Sequence, residues 1–300
     1  MAYFMALDGG GTKTECWVAD ERHVLGRATG PTVKIMNVGE EATERLRAIV
    51  AQALESASVA GRSIVRVCFG LAGSSSGEVR RWAETTLREL VSGEVLLMGD
   101  EEIALEAAFH GVPGILVIAG TGSHVTGRCA DGSHVSAGGW GPVLGDEGSG
   151  SWIGLEAIRA GLRARDRSVE TCLLREIQEA WEVKDLGELV AMANRRERPD
   201  FALLTEVVAR CADGGDALAQ GVLERAGEEL AEQVSLVISK MRARGCGTED
   251  IARVAFTGSV LGKVPRVLRS MAERLPPETT VDKEVTEPLE GALWIARRGR

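Results

Sequence analysis

The chain has little of what marks a secreted, metal-binding or membrane-spanning protein. Its six cysteines (Cys16, Cys68, Cys129, Cys172, Cys211 and Cys246) are scattered, with no CxxC pair and no clustered histidine. Neither a zinc site nor a disulfide framework is indicated, and reduced, partly buried thiols are expected. The four histidines, at 23, 110, 124 and 134, show no ligand or triad spacing and read as structural. No apolar run approaches the ~20 residues that cross a bilayer, and the apolar stretch 1–7 lacks a positive start and stops at Asp8. A cytoplasmic protein is expected, with no membrane partner. Positive charge is also short, at 35 Lys and Arg against 44 Asp and Glu, a net −9. A nucleic-acid groove would favour a basic patch, so no nucleic-acid partner is expected.

Glycine, by contrast, is abundant. The 300 residues contain 37 of them, well above the usual roughly 7%. The excess lies in loops after apolar runs. With 44% hydrophobic and 26% charged residues, the chain can build two domains with real cores.

Residues 3–8, 14–20 and 24–29 are short β-rich runs separated by turns and predict an antiparallel meander. The period then lengthens: 40–57 carries apolar residues at helical spacing, 64–69 is a buried strand, 77–90 a helix, 95–98 a strand, and 101–109 a helix opening just after Asp100. This order restarts at 114–123, where an apolar strand meets a Gly/Thr/Ser turn followed by strands at 124–129 and 134–137. A repeated strand, glycine turn, strand and strand suggests two related domains facing a cleft. Helices are expected at 149–165, 170–180, 186–194, 201–211 and 217–244, a strand at 251–257, a helix at 263–275, a short strand at 280–285 and a terminal helix at 289–298.

Four loops can carry chemistry. In Asp8-Gly9-Gly10-Gly11-Thr12-Lys13-Thr14 the glycines can take positive φ and bring backbone N–H groups to an anion, while Asp8 can hold a hydrated magnesium ion; an ordinary hairpin turn has the same pattern. The others are 120–123, 138–150 and 257–262. None fits GxxxxGK[ST], and none is a good GxGxxG opening a helix after the first strand, so a Walker P-loop and a Rossmann dehydrogenase are disfavoured.

Taken together, these loops resemble those of the sugar kinase, Hsp70 and actin superfamily, and within it the BadF/BadG/BcrA/BcrD ATPase family that includes N-acetylglucosamine kinases. The likeness covers essentially the whole chain. Asp8–Thr14 looks like the first phosphate motif, Gly120-Thr121-Gly122-Ser123 the second, and Phe256-Thr257-Gly258-Ser259-Val260 the adenosine motif. Phe69-Gly70-Leu71-Ala72-Gly73 and Glu290-Gly291-Ala292 look like the two connecting segments.

The resemblance implies an α/β fold of two ribonuclease H-like (actin-like ATPase) domains, with mixed five-stranded sheets flanking an interdomain ATP cleft. The first domain would be 1–115 with helix 288–300 packing back on it, and the second 116–287 with a helical insertion. It implies ATP held by Gly10, Gly11, Thr12, Lys13, Thr121, Gly122, Ser123, Gly258 and Ser259, with Mg²⁺ at Asp8. Phosphoryl transfer needs little beyond alignment, charge neutralisation and a base, and Asp100 matches the family's base; simple helix capping by Asp100 is the alternative. Members commonly show Asn-Asp here, whereas this chain has Gly99-Asp100-Glu101-Glu102, leaving Glu101 as the other carboxylate.

The stretch 138–150, ending Gly145-Asp146-Glu147-Gly148-Ser149-Gly150, resembles the family's sugar loop. The sugar would touch Asn37, Gly73, Asp100, Thr121, Asp146 and Gly150. Asn37 is equally a loop or N-cap residue, Glu147 and Ser149 equally caps, and Trp140 either a stacking face or a buried aromatic. The implied activity is ATP-dependent phosphorylation of an amino sugar, N-acetylglucosamine first, by a homodimer. Rivals are an activator ATPase, whose iron–sulfur cysteines have no evident counterpart here, and a sugar or nucleotide sensor. The ROK glucokinases' cysteine-rich zinc motif is missing.

Overall fold

The computed structural model describes residues 2–33, 39–71, 73–74, 76–197 and 199–299. It opens with β1 (Tyr3–Gly9), β2 (Lys13–Ala19), β3 (Val24–Pro31), α1 (Glu40–Ala57), β4 (Ile64–Leu71), α2 (Gly77–Leu90), β5 (Glu94–Met98) and α3 (Asp100–Phe109). The plan begins again with β6 (Gly114–Ala119), β7 (Ser123–Arg128) and β8 (His134–Gly138). A helical block comes next: α4 (Gly150–Asp166), α5 (Leu173–Ala180), α6 (Leu186–Ala193), α7 (Thr205–Asp213), α8 (Ala217–Ala243) and the short α9 (Thr248–Ile251). The chain ends with β9 (Arg253–Thr257), α10 (Ser259–Lys263), α11 (Pro265–Ala272), β10 (Thr280–Val281) and α12 (Pro288–Arg298). It divides into two compact units, Met1–Val112 with Thr286–Arg300, and Pro113–Val285.

Each unit holds a mixed five-stranded sheet, in the orders β3-β2-β1-β4-β5 and β10-β9-β6-β7-β8. In the first, β1 to β3 form the antiparallel meander, and β1, β4 and β5 run parallel. The central strand β1 is buried on both faces, which is why it reads as an apolar run rather than an alternation. Met5 and Leu7 join one core with Leu46, Ile49 and Val50 of α1 and Leu87 of α2; Phe4 and Ala6 join the opposite core with Ile103 of α3 and Leu289, Ala292 and Leu293 of α12. The terminal helix thus belongs to the first sheet. In the second unit, Ile115, Val117 and Ala119 of β6 share a core with Ile153 of α4, Val208 of α7 and Val234 of α8.

The departures from the sequence reading have local causes. The helix expected over 263–275 runs only Pro265–Ala272, and a short helix, Ser259–Lys263, forms where only a glycine turn was expected; the two are separate because Pro265 offers no N–H and drives Val264 to φ −116°, ψ 81°. The helix expected over 201–211 starts as a 3₁₀ turn, Phe201–Leu204, and the strand expected over 280–285 shrinks to two paired residues. Asp100 does not precede its helix; it is the first helical residue.

Candidate functional site

In the first unit, strand register assembles the site. Asp8 lies opposite Gly70, and Gly70 opposite Met98, on the parallel strands β1, β4 and β5. The carboxyl ends of these strands therefore bring Asp8, the start of the 70–73 segment and Asp100 to one sheet edge, where α/β sheets place their ligands. Burial pushes the Asp8 carboxyl up to about 7, and the carboxylates of Asp100, Glu287 and Glu15 push it the same way against a smaller opposing pull from Lys13. Asp8 and Asp100 thus share one electrostatic environment.

The turn 10–12 that joins β1 to β2 is tethered by Thr32, whose hydroxyl donates to the Gly10 carbonyl over 2.7 Å. None of Gly9, Gly10 and Gly11 uses the positive φ open to glycine. Gly9 is glycine for packing, since a Cβ there would sit 2.8 Å from Leu71 and 2.9 Å from Phe69, whereas a Cβ on Gly11 would meet nothing within 4 Å. Thr12 and Lys13 are exposed, and Lys13 Nζ lies 2.5 Å from Glu15. Gly73 is exposed with φ +82°. Asn37 lies outside the described residues.

Asp100 is not the cap of α3. Gly99 occupies the N-cap, and its N–H donates to the Glu102 carboxylate over 2.6 Å, so Glu102 does the capping.

In the second unit the turn 120–122 and the loop 138–150 interlock. The N–H groups of Gly150 and Ser151, which open α4, donate to the carbonyls of Gly120 (2.8 Å) and Thr121 (3.2 Å). Asp146 is buried; its Oδ1 accepts from the Gly141 N–H over 3.1 Å, and its Oδ2 would lie 2.9 Å from a Cβ on residue 122, which only glycine avoids. Ser123 is buried too, and its hydroxyl donates to the Glu147 carbonyl over 2.8 Å, engaging the side chain inside the protein. Ser149 caps α4 by accepting from Trp152 N–H. Trp140 is 75% exposed, which removes the buried-aromatic alternative. Beyond β9, Gly258 caps α10 at φ +99°, with space for a Cβ closed by the Ala119 carbonyl oxygen at 2.3 Å; Ser259 comes next, exposed. Thr121, Gly122, Asp146, Gly150 and Gly258 are thus neighbours around one sheet end.

Sequence reasoning missed Glu287. Its carboxylate accepts from Leu289 N–H as the cap of α12, and burial raises its pKa while that hydrogen bond lowers it. A Glu directly before Pro288 at a helix start was the available signal. No three His, Cys, Asp or Glu side chains converge as a closed metal site among the described residues. Magnesium in phosphoryl transfer is held by one or two carboxylates plus phosphate oxygens and water; Asp8, with its proton affinity raised by burial and by acidic neighbours, suits that role.

Residues 7–296 match the BadF/BadG/BcrA/BcrD ATPase family. The chain is 32% identical over 244 residues to the N-acetylmuramic acid/N-acetylglucosamine kinase of Clostridium acetobutylicum, covering 79% of this chain and 80% of that one. It is 26% identical to the N-acetyl-D-glucosamine kinase of Dictyostelium discoideum, over 98% of this chain and 97% of the other. Its fold matches the crystal structure of a candidate N-acetylglucosamine kinase from Chromobacterium violaceum with a TM-score of 0.75 at 25% identity, covering 99% of each chain. From its first strand to its terminal helix, the chain belongs to the BadF/BadG/BcrA/BcrD ATPase family.

Proposed function

We propose that this protein is an ATP-dependent kinase that transfers the γ-phosphoryl group to the 6-hydroxyl of an amino sugar, N-acetylglucosamine first among them. Family membership and the activities for which the Clostridium and Dictyostelium relatives are named support the reading. The observation that carries it is the seating of the buried Asp146 carboxylate against Gly122; in this reading that carboxylate binds a sugar hydroxyl beside a turn that binds phosphate.

In this reading Asp100 takes the proton of the sugar hydroxyl as its oxygen attacks the γ-phosphorus. The bond to the β-phosphate oxygen breaks, ADP leaves, and Asp100 returns the proton to solvent. Asp146 orients the acceptor, together with Thr121, Gly73 and Asn37. The turn residues Gly10 to Lys13, and Gly122, Gly258 and Ser259, bind the nucleotide. Asp8 would hold Mg²⁺, and the Glu287 carboxylate adds to the negative potential at Asp8. When bound, the ion neutralises charge on the β- and γ-phosphates. The reading also entails a cytoplasmic location and a homodimer, the latter checked by sedimentation.

The test is a coupled ADP-release assay with Mg²⁺ against glucose, glucosamine, N-acetylglucosamine and N-acetylmuramic acid. N-acetylglucosamine is expected to stimulate ADP release with the highest kcat/KM. Stimulation by none of the four would overturn the kinase reading, and preference for glucose would overturn the acceptor.

A further inference from the structure

The Glu147 carbonyl, one residue past Asp146, receives two side-chain donors. One is Ser123 Oγ at 2.8 Å; the other is Gln233 Nε2 of α8 at 3.2 Å. A carbonyl oxygen has two lone pairs, so the peptide after Glu147 is held from both sides. Gln233 also meets the other end of the loop, since its Oε1 lies where a Cβ on Gly138 would come within 2.3 Å. A single amide thus touches the entry and the exit of the segment that carries Asp146. The same face of α8 backs the loop further along: the Ala226 carbonyl and the Leu230 side chain close against Gly148. Residues 226, 230 and 233 have the i, i+4, i+7 spacing of one helical stripe.

We propose that Gln233 is a positioning residue for the acceptor, holding the 138–150 loop so that Asp146 meets the sugar; this rests on the kinase reading above. Stability does not account for a glutamine here. The side chain is 6% exposed, and its Oε1 has no protein hydrogen-bond partner among the described residues. A buried amide with one bond of 3.2 Å contributes little to folding, and an apolar side chain of equal length would pack there without desolvating polar atoms. What glutamine adds is the second donor to Glu147 and a shape that fits only a glycine at 138. Ser123, on the opposite side of the same carbonyl, shares the task.

The test compares wild type, Gln233→Met, Ser123→Ala and Ser123→Thr for KM of N-acetylglucosamine, KM of ATP, kcat and melting temperature. Gln233→Met keeps length and loses the donor. It should raise the sugar KM about five- to tenfold, as loss of one hydrogen bond to a positioning group would. Its ATP KM should stay within about twofold of wild type, and its melting temperature should hold or rise. Ser123→Ala should show the same sugar defect and Ser123→Thr should restore it. An unchanged sugar KM in a folded Gln233→Met, or a fall in melting temperature that tracks the lost turnover, would overturn the inference. A wild type that turns over no amino sugar defeats the kinase reading and this inference with it. Normal turnover beside an unaffected Gln233→Met defeats this inference alone.

Discussion

The two sheets are built on one plan and armed in opposite ways. β1 to β5 correspond one for one to β6 to β10: three antiparallel strands from the sheet centre outward, then two parallel ones on the other side. Each first hairpin ends in a glycine turn, 10–12 or 120–122. In the first unit that turn is largely exposed, tethered by the Thr32 hydroxyl and flanked by Asp8, Asp100, Glu15 and Glu287. In the second it is tied by two main-chain bonds to the start of α4 and packed against Asp146. The difference arises after the third strand. In the first unit α1 packs back onto the sheet, whereas in the second a long insertion folds its opening loop onto the turn. A repeated scaffold thus yields one turn set among carboxylates and one joined to the 138–150 loop.

The sharpest way to break this division is through its carboxylates. Asp100→Asn should lower kcat about 10²–10⁴-fold with little change in ATP binding; full activity would remove Asp100 as base and leave Glu101 to be tested. Asp8→Asn should cost roughly 10²–10³-fold in turnover and yet stabilise the fold. The Asp8 pKa rises from its ordinary 3.8 to about 7, so between those values the folded chain binds more protons than the unfolded one. Stability from this group therefore falls as pH rises from about 4 to 7 and stays low above. Without divalent cation, Asp8→Asn should melt about 5 °C above wild type at pH 8, with the gap closing toward pH 4. An equal gap at both pH values would sink the account of Asp8.

Next in size are the glycines of the second unit. Gly258→Ala places a Cβ at φ +99° and 2.3 Å from the Ala119 oxygen, which should cost about 3 kcal/mol by denaturant unfolding. Gly122→Ala should be milder for the fold but drive Asp146 aside, raising the sugar KM about tenfold. The interlocked geometry is why a substitution at Gly122 should act on the sugar through Asp146.

How much of this was legible depends on the task of each residue. The meander, the apolar β1 run and the helical stripe of α1 show in the sequence, because burial alone sets their periodicity. So does the restart at Gly114, because both copies carry the same glycine turn. The reason for each glycine does not show: Gly9 serves packing, Gly258 serves φ and Gly122 makes room for Asp146, three causes behind one letter. Glu287 and Gln233 were missed because their partners, Asp8 and Glu147, lie 279 and 86 residues away along the chain. The start of α11 was placed two residues early, at 263, because Pro265 is itself the first helical residue and holds Val264 out of the helix.

The smallest expected effect tests the exposed turn. A Cβ on Gly11 would meet nothing within 4 Å, and its φ lies outside the region that strains a side chain. Gly11→Ala should therefore leave the melting temperature unchanged or raise it slightly, since alanine loses less chain entropy on folding. If the turn works by letting phosphate approach its backbone, the added methyl should raise the ATP KM about three- to tenfold and leave the sugar KM alone. Gly122→Ala, in a turn that meets both the nucleotide and Asp146, should raise the sugar KM as well as the ATP KM. Should Gly11→Ala instead impair sugar and ATP equally, the two turns would not divide the work, and the contrast between the two units would describe packing alone.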